Sequence, residues 1–230
     1  MDFNSNFWSA IAGAVVGGLI SFVIQLVALN AAKNDRREER KEARVGLGRS
    51  MLYKLIRIAS NLKHLHQHFE ESYAAVDPRI HGEPWTFVLP LANHPEFVHF
   101  NEQEISLVMS LKDERLLDDL MSLDVIHNST IELLKTYQAG RAALMEKMPA
   151  KMGQGNIGTT EFTYEETLIM RPRMVELNIL VENSRERARQ DFQQARDTLI
   201  ALERALTTQL GFVGTLKFKE EKPSHRPPAP

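Results

Sequence analysis

Between Asp2 and Lys33 the chain carries no charged side chain, and residues 7–29 are apolar apart from Ser9, Ser21 and Gln25. As a helix those 23 residues extend roughly 35 Å, enough to cross a hydrocarbon layer of about 30 Å with some tilt. A cleaved leader would want a basic start and a shorter apolar stretch, and here only Asp2 precedes the run. A buried core helix of that length would show charge on its solvent face. The sequence therefore predicts a transmembrane anchor over residues 1–32.

Basic residues fix the expected orientation. Lys33, Arg36, Arg37, Arg40, Lys41, Arg44 and Arg49 all follow the run and none precedes it, so the C-terminal side is expected to be cytoplasmic in a single-pass topology. Residues 33–44 intersperse six basic with four acidic side chains, a pattern that supports a solvated helix through pairs three and four apart. A charged juxtamembrane stalk is expected over residues 33–46; its basic residues could also touch anionic headgroups, but a solvated stalk explains the run without a lipid-sensing role.

The run also has a face. Ser9, Gly13, Gly17, Ser21 and Gln25 recur every fourth residue, and Gly13 to Gly17 is a GxxxG. Apolar surface gains little by leaving lipid, so helices associate in a bilayer through close backbone approach and interhelical hydrogen bonds. A homo-oligomer through this strip is expected.

Beyond the stalk the apolar residues return at helical spacing. Met51, Leu52, Leu55, Ile58, Ala59, Leu62, Leu65, Phe69, Tyr73 and Val76 mark one helix, which Pro78 ends. Asn101 and Glu104 form a capping box, and after a break near Lys112 and Asp113 a second face runs from Leu116 to Met148. Thr163 and Glu166 make another box, opening a third helix that is expected to be kinked or interrupted at Pro172 and closed by Gly211. Within it Val181, Ala188, Ala195 and Leu202 with Phe192, Leu199 and Leu206 form an a/d seam. The expected fold is all-α: a long-helix antiparallel, up-down bundle over residues 47–211, with connections at 77–100 and 149–162, then a segment and solvated tail over 212–230.

If the first helix climbs from the membrane, the 77–100 connection caps its far end and the C-terminus returns there. Trp85, Phe87, Phe97 and Phe100 make this connection too aromatic for disorder, and they are the expected surface for a protein partner, with Trp85 near the 212–218 segment. Residues 85–91 and 212–218 could be short strands or extended segments.

Residues that could carry chemistry are few. The chain has no cysteine, which removes thiolate metal sites, disulfides and cysteine nucleophiles. A formal net charge of -2 gives no reason to expect DNA as a partner. Gly153, Gly155 and Gly158 spell GxGxxG after a helix and not after a strand, so no nucleotide is expected. His64 and His68 share a helix face at metal-ligand spacing, with Glu71 nearby, yet two imidazoles without a motif behind them do not make a site. Glu96 and His99 are half of a di-iron pattern, placed in a connection. His127 and Arg141 interrupt an apolar face, where a hydrogen-bonded structural role is expected. No metal or cofactor is expected.

Arg57 and His64 are spaced Arg-x6-His, which resembles the loose Arg-x4-6-His signature of the HEPN helical-bundle ribonucleases, with Ile58 where a polar residue usually follows the arginine. The resemblance spans eight residues and does not place the chain in that family. It implies that Arg57 and His64, paired across a dimer, would promote attack by an RNA 2'-hydroxyl. The leading expectation is non-enzymatic: a membrane-anchored helical protein that self-associates and serves as a scaffold, regulator or membrane effector through its cytoplasmic bundle. A tethered ribonuclease of the HEPN type and a pore-forming ring of the glycine-rich spans are the alternatives.

Overall fold

A computed structural model describes residues 3–76, 82–147 and 163–212, with side chains from Ser21 onward. Five helices follow in order: α1 (Phe3–Ala74), α2 (Pro84–Phe87), α3 (Glu102–Ser110), α4 (Glu114–Glu146) and α5 (Tyr164–Leu210). The described residues are all-helical and contain no strand. The 85–91 segment thus begins in the single helical turn of α2 and is extended only beyond it. The chain divides into two units, Met1–Leu47 and Gly48–Pro230.

The first unit is helix throughout its described backbone. From Ser21 to Arg44 every side chain is exposed, including the large apolar ones from Phe22 to Leu29, several of them more than half exposed. Ser21 and Gln25 belong to this exposed stretch, whereas the side chains of Ser9, Gly13 and Gly17 lie outside the described residues. Among the described residues no helix is long and apolar enough to cross a membrane. The side chains of most of the uncharged run, up to Ile20, lie outside the described residues.

The second unit is held by the apolar faces read from spacing. Met51, Leu55, Ile58 and Leu62 of α1, Leu116, Leu120, Leu123 and Ile131 of α4 and Leu199, Leu202 and Leu206 of α5 are almost wholly closed to solvent. Val181, Ala188, Ala195 and Leu202, the seam expected in α5, are buried inside this same chain. Gly48 sits so close to Leu206 that an added Cβ would lie 2.9 Å from its Cδ2. Pro172 does not interrupt α5, which remains one helix from Tyr164 to Leu210.

Helix ends follow local chemistry. Both capping boxes form, Asn101 with Glu104 and Thr163 with Glu166, each satisfying two otherwise orphaned backbone donors. Lys112 takes a left-handed φ of 55° between α3 and α4, and Asp113 caps α4 by accepting from the Leu116 amide. Gly211, with φ of 64°, closes α5.

The topology differs from a simple up-down bundle. Asn61 of α1 meets His127 of α4, and further along His68 and Tyr137 bond to the adjacent residues Leu89 and Val88, so α1 and α4 run in the same direction. The connection between them makes the return journey. Its Trp85 lies by Asn178, its Leu89 by His68, its Glu96 by Arg57 and its His99 by Lys54. It is a strap along the bundle and not a cap over one end. Helix α5 runs opposite to α1, from Arg185 beside Glu70 to Leu206 beside Gly48. The C-terminus of α5 therefore lies at the Gly48 end, where Phe212 packs under Arg49, 6.0 Å away, and not by Trp85 as expected; residues 213–218 of the expected segment lie outside the described residues.

Candidate functional site

An extended chain on a helical bundle has no ladder partner, and its buried backbone groups must find hydrogen bonds elsewhere. Here helix side chains supply them. The Val98 amide donates to Asn128 Oδ1 (3.1 Å) and the Val98 carbonyl accepts from Asn128 Nδ2 (2.9 Å), so one side-chain amide imitates a neighbouring strand. Tyr137 donates its hydroxyl proton to the Val88 carbonyl, Arg141 Nε donates to Trp85 O at 3.2 Å, and the Trp85 amide donates to Asn178 Oδ1 at 3.1 Å. His68 meets Leu89 O at 2.8 Å and Lys54 donates to His99 O at 2.8 Å. His68 and Arg141 are thus strap fasteners, roles their spacing in the sequence does not disclose. Burial raises the Tyr137 hydroxyl to about 12, which keeps it a donor at neutral pH.

The four aromatic residues expected to bind a partner divide by this packing. Trp85 is 6% exposed and belongs to the core with Phe69, Tyr137 and Met174. Phe87 meets Tyr73 edge-on at 5.0 Å, and Phe100 is half-buried with Lys54 Nζ 6.0 Å from its ring centre. Phe97 is 43% exposed, beneath Lys135 Nζ at 4.3 Å. Of the four it offers the most open ring.

Polar residues gather under the strap's Gly48 end. Glu104 is fully buried, and its carboxylate accepts from Ser50 (2.7 Å), Lys54 (2.7 Å) and the Asn101 amide (2.8 Å). Burial raises this carboxyl, but those donors outweigh burial and hold it below the usual carboxylate range. Arg57 pairs with Glu96, whose hydrogen bond raises the guanidinium further. His64 is exposed, and among the described residues no contact joins it to Arg57. Arg57 thus has Glu96 as a partner within the chain.

His127 is 1% exposed. Nδ1 lies 3.3 Å from Asn128 Oδ1 and Nε2 lies 3.0 Å from Asn61 Nδ2, an arrangement that suits a neutral ring donating at Nδ1 and accepting at Nε2. Burial lowers its pKa below the ordinary histidine value, against the Asn128 hydrogen bond and Asp124, with Arg57 and His99 pushing the same way as burial. The folded state thus binds fewer protons at this site than the unfolded chain. The stability it contributes is complete above about 6.5, the unfolded value, and is lost as pH falls toward the folded one. Urea unfolding of the purified chain at pH 7.5 and 5.5 should show a smaller acid-induced loss for His127→Gln than for the native protein. Equal losses would mean that His127 is not a source of the acid sensitivity.

A second polar region is an open cleft of about 610 Å³ between α1 and α5, lined by His66, Glu70, Tyr73, Glu182, Arg185, Glu186 and Arg189. Arg185 grips Glu70 with two nitrogens, at 3.0 and 3.4 Å, and lies 3.9 Å from the Tyr73 ring centre. That contact holds the Glu70 carboxyl below its ordinary range. No group of three or more histidine, aspartate or glutamate side chains among the described residues is placed to hold a metal ion. The glycines of the GxGxxG lie outside the described residues. None of the known protein families, curated proteins or solved structures matches this chain.

Proposed function

We propose that this chain is a single-pass, membrane-anchored helical protein that self-associates, with a cytoplasmic bundle serving as a scaffold. The observation that carries the reading is α1. One helix leads from an uncharged run of 23 residues into a stalk rich in basic residues and then into the bundle. The exposed apolar residues Phe22 to Leu29 support it, because such a surface on a helix with no packing partner is costly in water and suited to lipid. The basic residues that follow favour a cytoplasmic bundle. In the bilayer, Ser9, Gly13, Gly17, Ser21 and Gln25 would supply the close helix contact. A protein partner would meet the bundle's outer surface, where Phe97 is open.

The fastened strap also suits a scaffold. The described polar clusters are largely engaged in holding the bundle together, as Arg57 with Glu96 and Lys54 with Glu104 show. The test is topological. A reporter fused after Pro230 should read as cytoplasmic, and the intact chain should stay with the membrane pellet through alkaline carbonate extraction. Recovery of a soluble chain beginning near Lys33 would remove the anchor and with it the proposal.

A further inference from the structure

The open cleft between α1 and α5 is longer than one cavity. Its 610 Å³ adjoin a second cavity of about 660 Å³, lined by His66, Glu186, Arg189, Gln190, Phe192 and Gln193, and the two share His66, Glu186 and Arg189. Together they form a trough whose chemistry changes along its length. Going away from the Gly48 end, the α5 wall presents the half-buried Phe192, then the exposed Arg189 opposite His66, then the exposed Glu186 and Glu182. An apolar, then basic, then acidic order suits an extended chain better than a compact ligand.

The described chain ends at the near side of this trough. Phe212 lies half-buried under Arg49, and residues 213–230 follow it. Ile56, 39% exposed, stands seven positions after Arg49 and so on the same stripe of α1, between Phe212 and His66. In an extended segment every second side chain points the same way. Those on the side of Phe212 are Gly214, Leu216, Phe218, Glu220 and Lys222, which run apolar, then acidic, then basic.

The two lengths agree as well as the two orders. At ~3.3 Å per residue, Leu216, Phe218, Glu220 and Lys222 stand about 13, 20, 26 and 33 Å from Phe212. At ~1.5 Å per helical residue, Ile56 and His66 stand about 10 and 26 Å from Arg49. Counted along α5 from Leu206, which faces Gly48, Phe192, Arg189, Glu186 and Glu182 stand about 21, 26, 30 and 36 Å away.

We infer that the chain's own segment 213–222 docks along this trough as a second strap, with Leu216 on Ile56, Phe218 on Phe192, Glu220 on Arg189 and His66, and Lys222 between Glu186 and Glu182. Tethered through Phe212, the segment meets the trough at a high effective concentration that a dissolved competitor of similar chemistry does not match. Any molecule that reaches Arg189 must first displace it.

The chain contains no cysteine, so introduced thiols report only themselves. In the purified full-length protein under mild oxidation, Gln193→Cys with Lys219→Cys should close an intrachain disulfide, seen as faster migration of the unreduced monomer. The yield should be about tenfold that of Arg187→Cys with Lys219→Cys, since position 187 faces away from the trough. Adding Glu220→Arg to the first pair should lower the yield about fivefold, and further adding Arg189→Glu should restore it, because the ion pair is then formed again with its signs exchanged. Arg187, Arg189 and Gln193 are exposed, so these variants leave the core of the bundle intact. Equal yields from positions 193 and 187 would show a segment without a seat and overturn the inference. A yield indifferent to Glu220→Arg would overturn it by showing that the trough's charges do not hold the segment. Disulfides formed chiefly between chains would put the segment in a neighbouring copy's trough and overturn the intrachain seat.

Discussion

Replacing Trp85 with Ala should destabilise the bundle by about 3 to 5 kcal/mol, the range for truncating a well-packed buried aromatic residue. Trp85 is the strap's largest buried side chain. Its ring joins Phe69, Leu134, Tyr137, Met174 and Leu177 in one cluster, its indole N–H donates to Glu83 at 2.8 Å, and its carbonyl accepts from Arg141. Truncation leaves a cavity and loosens the stretch that fixes those bonds. Urea unfolding of the purified chain followed by circular dichroism gives the magnitude. A loss below about 1 kcal/mol would mean that the strap is only draped on the bundle. The same residue offers an optical check. With Trp8 replaced by Phe, Trp85 is the one remaining tryptophan, and its fluorescence should be blue-shifted and little quenched by brominated lipids. Strong quenching would place the ring in the bilayer and contradict its position between α1, α4 and α5.

Glu104→Leu should cost about 2 to 3 kcal/mol, and adding Lys54→Met should recover more than half of it. The single change leaves Lys54 without its carboxylate, with the His99 carbonyl as its remaining acceptor among those described, and removes an acceptor from Ser50 and from the Asn101 amide. Breaking a buried pair leaves the surviving group unsatisfied, whereas replacing both partners with apolar side chains of similar volume is often nearly neutral. Lys54 retains 26% side-chain exposure, which lets water compensate part of the loss and sets the expectation below the usual range for fully buried pairs. The four proteins of the double-mutant cycle, compared by urea midpoint, should show coupling well above 0.5 kcal/mol. Additive losses would mean that Glu104 acts only as the α3 cap.

Residues whose structural signal is local were legible. The boxes at Asn101 and Thr163, the break before Asp113 and the Gly211 cap each involve groups within four residues, and each forms where spacing places it. Leu116, Leu120, Leu123, His127, Ile131, Leu134, Tyr137 and Leu144 are buried as one face of α4, because helical periodicity reports burial directly. The direction of the 77–100 connection was not legible. Its backbone is satisfied by Lys54, His68, Asn128, Tyr137 and Asn178, partners up to 93 residues away, and nothing in a lone Asn or Tyr marks it as a substitute for a neighbouring strand. Mistaking the strap for an end cap reversed the inferred sense of α4 and α5 and misplaced Trp85 relative to Phe212. Glu104 shows how one residue carries two messages. Its capping role is written in the four-residue pattern, and its pairing with Lys54 across the bundle is not.

The strap also imposes an order in time on the newborn protein. Residues around Trp85 leave the ribosome long before Asn178, which lies 93 positions later, and synthesis at about 5 to 20 residues per second makes that an interval of roughly 5 to 20 s. Through that interval an apolar stretch whose Trp85 amide still awaits its acceptor is exposed close to the translating ribosome. Synonymous codons that slow translation between Asn128 and Asn178 would lengthen the wait, so chaperone demand and aggregation during synthesis should respond to codon choice there even though the finished protein is unchanged.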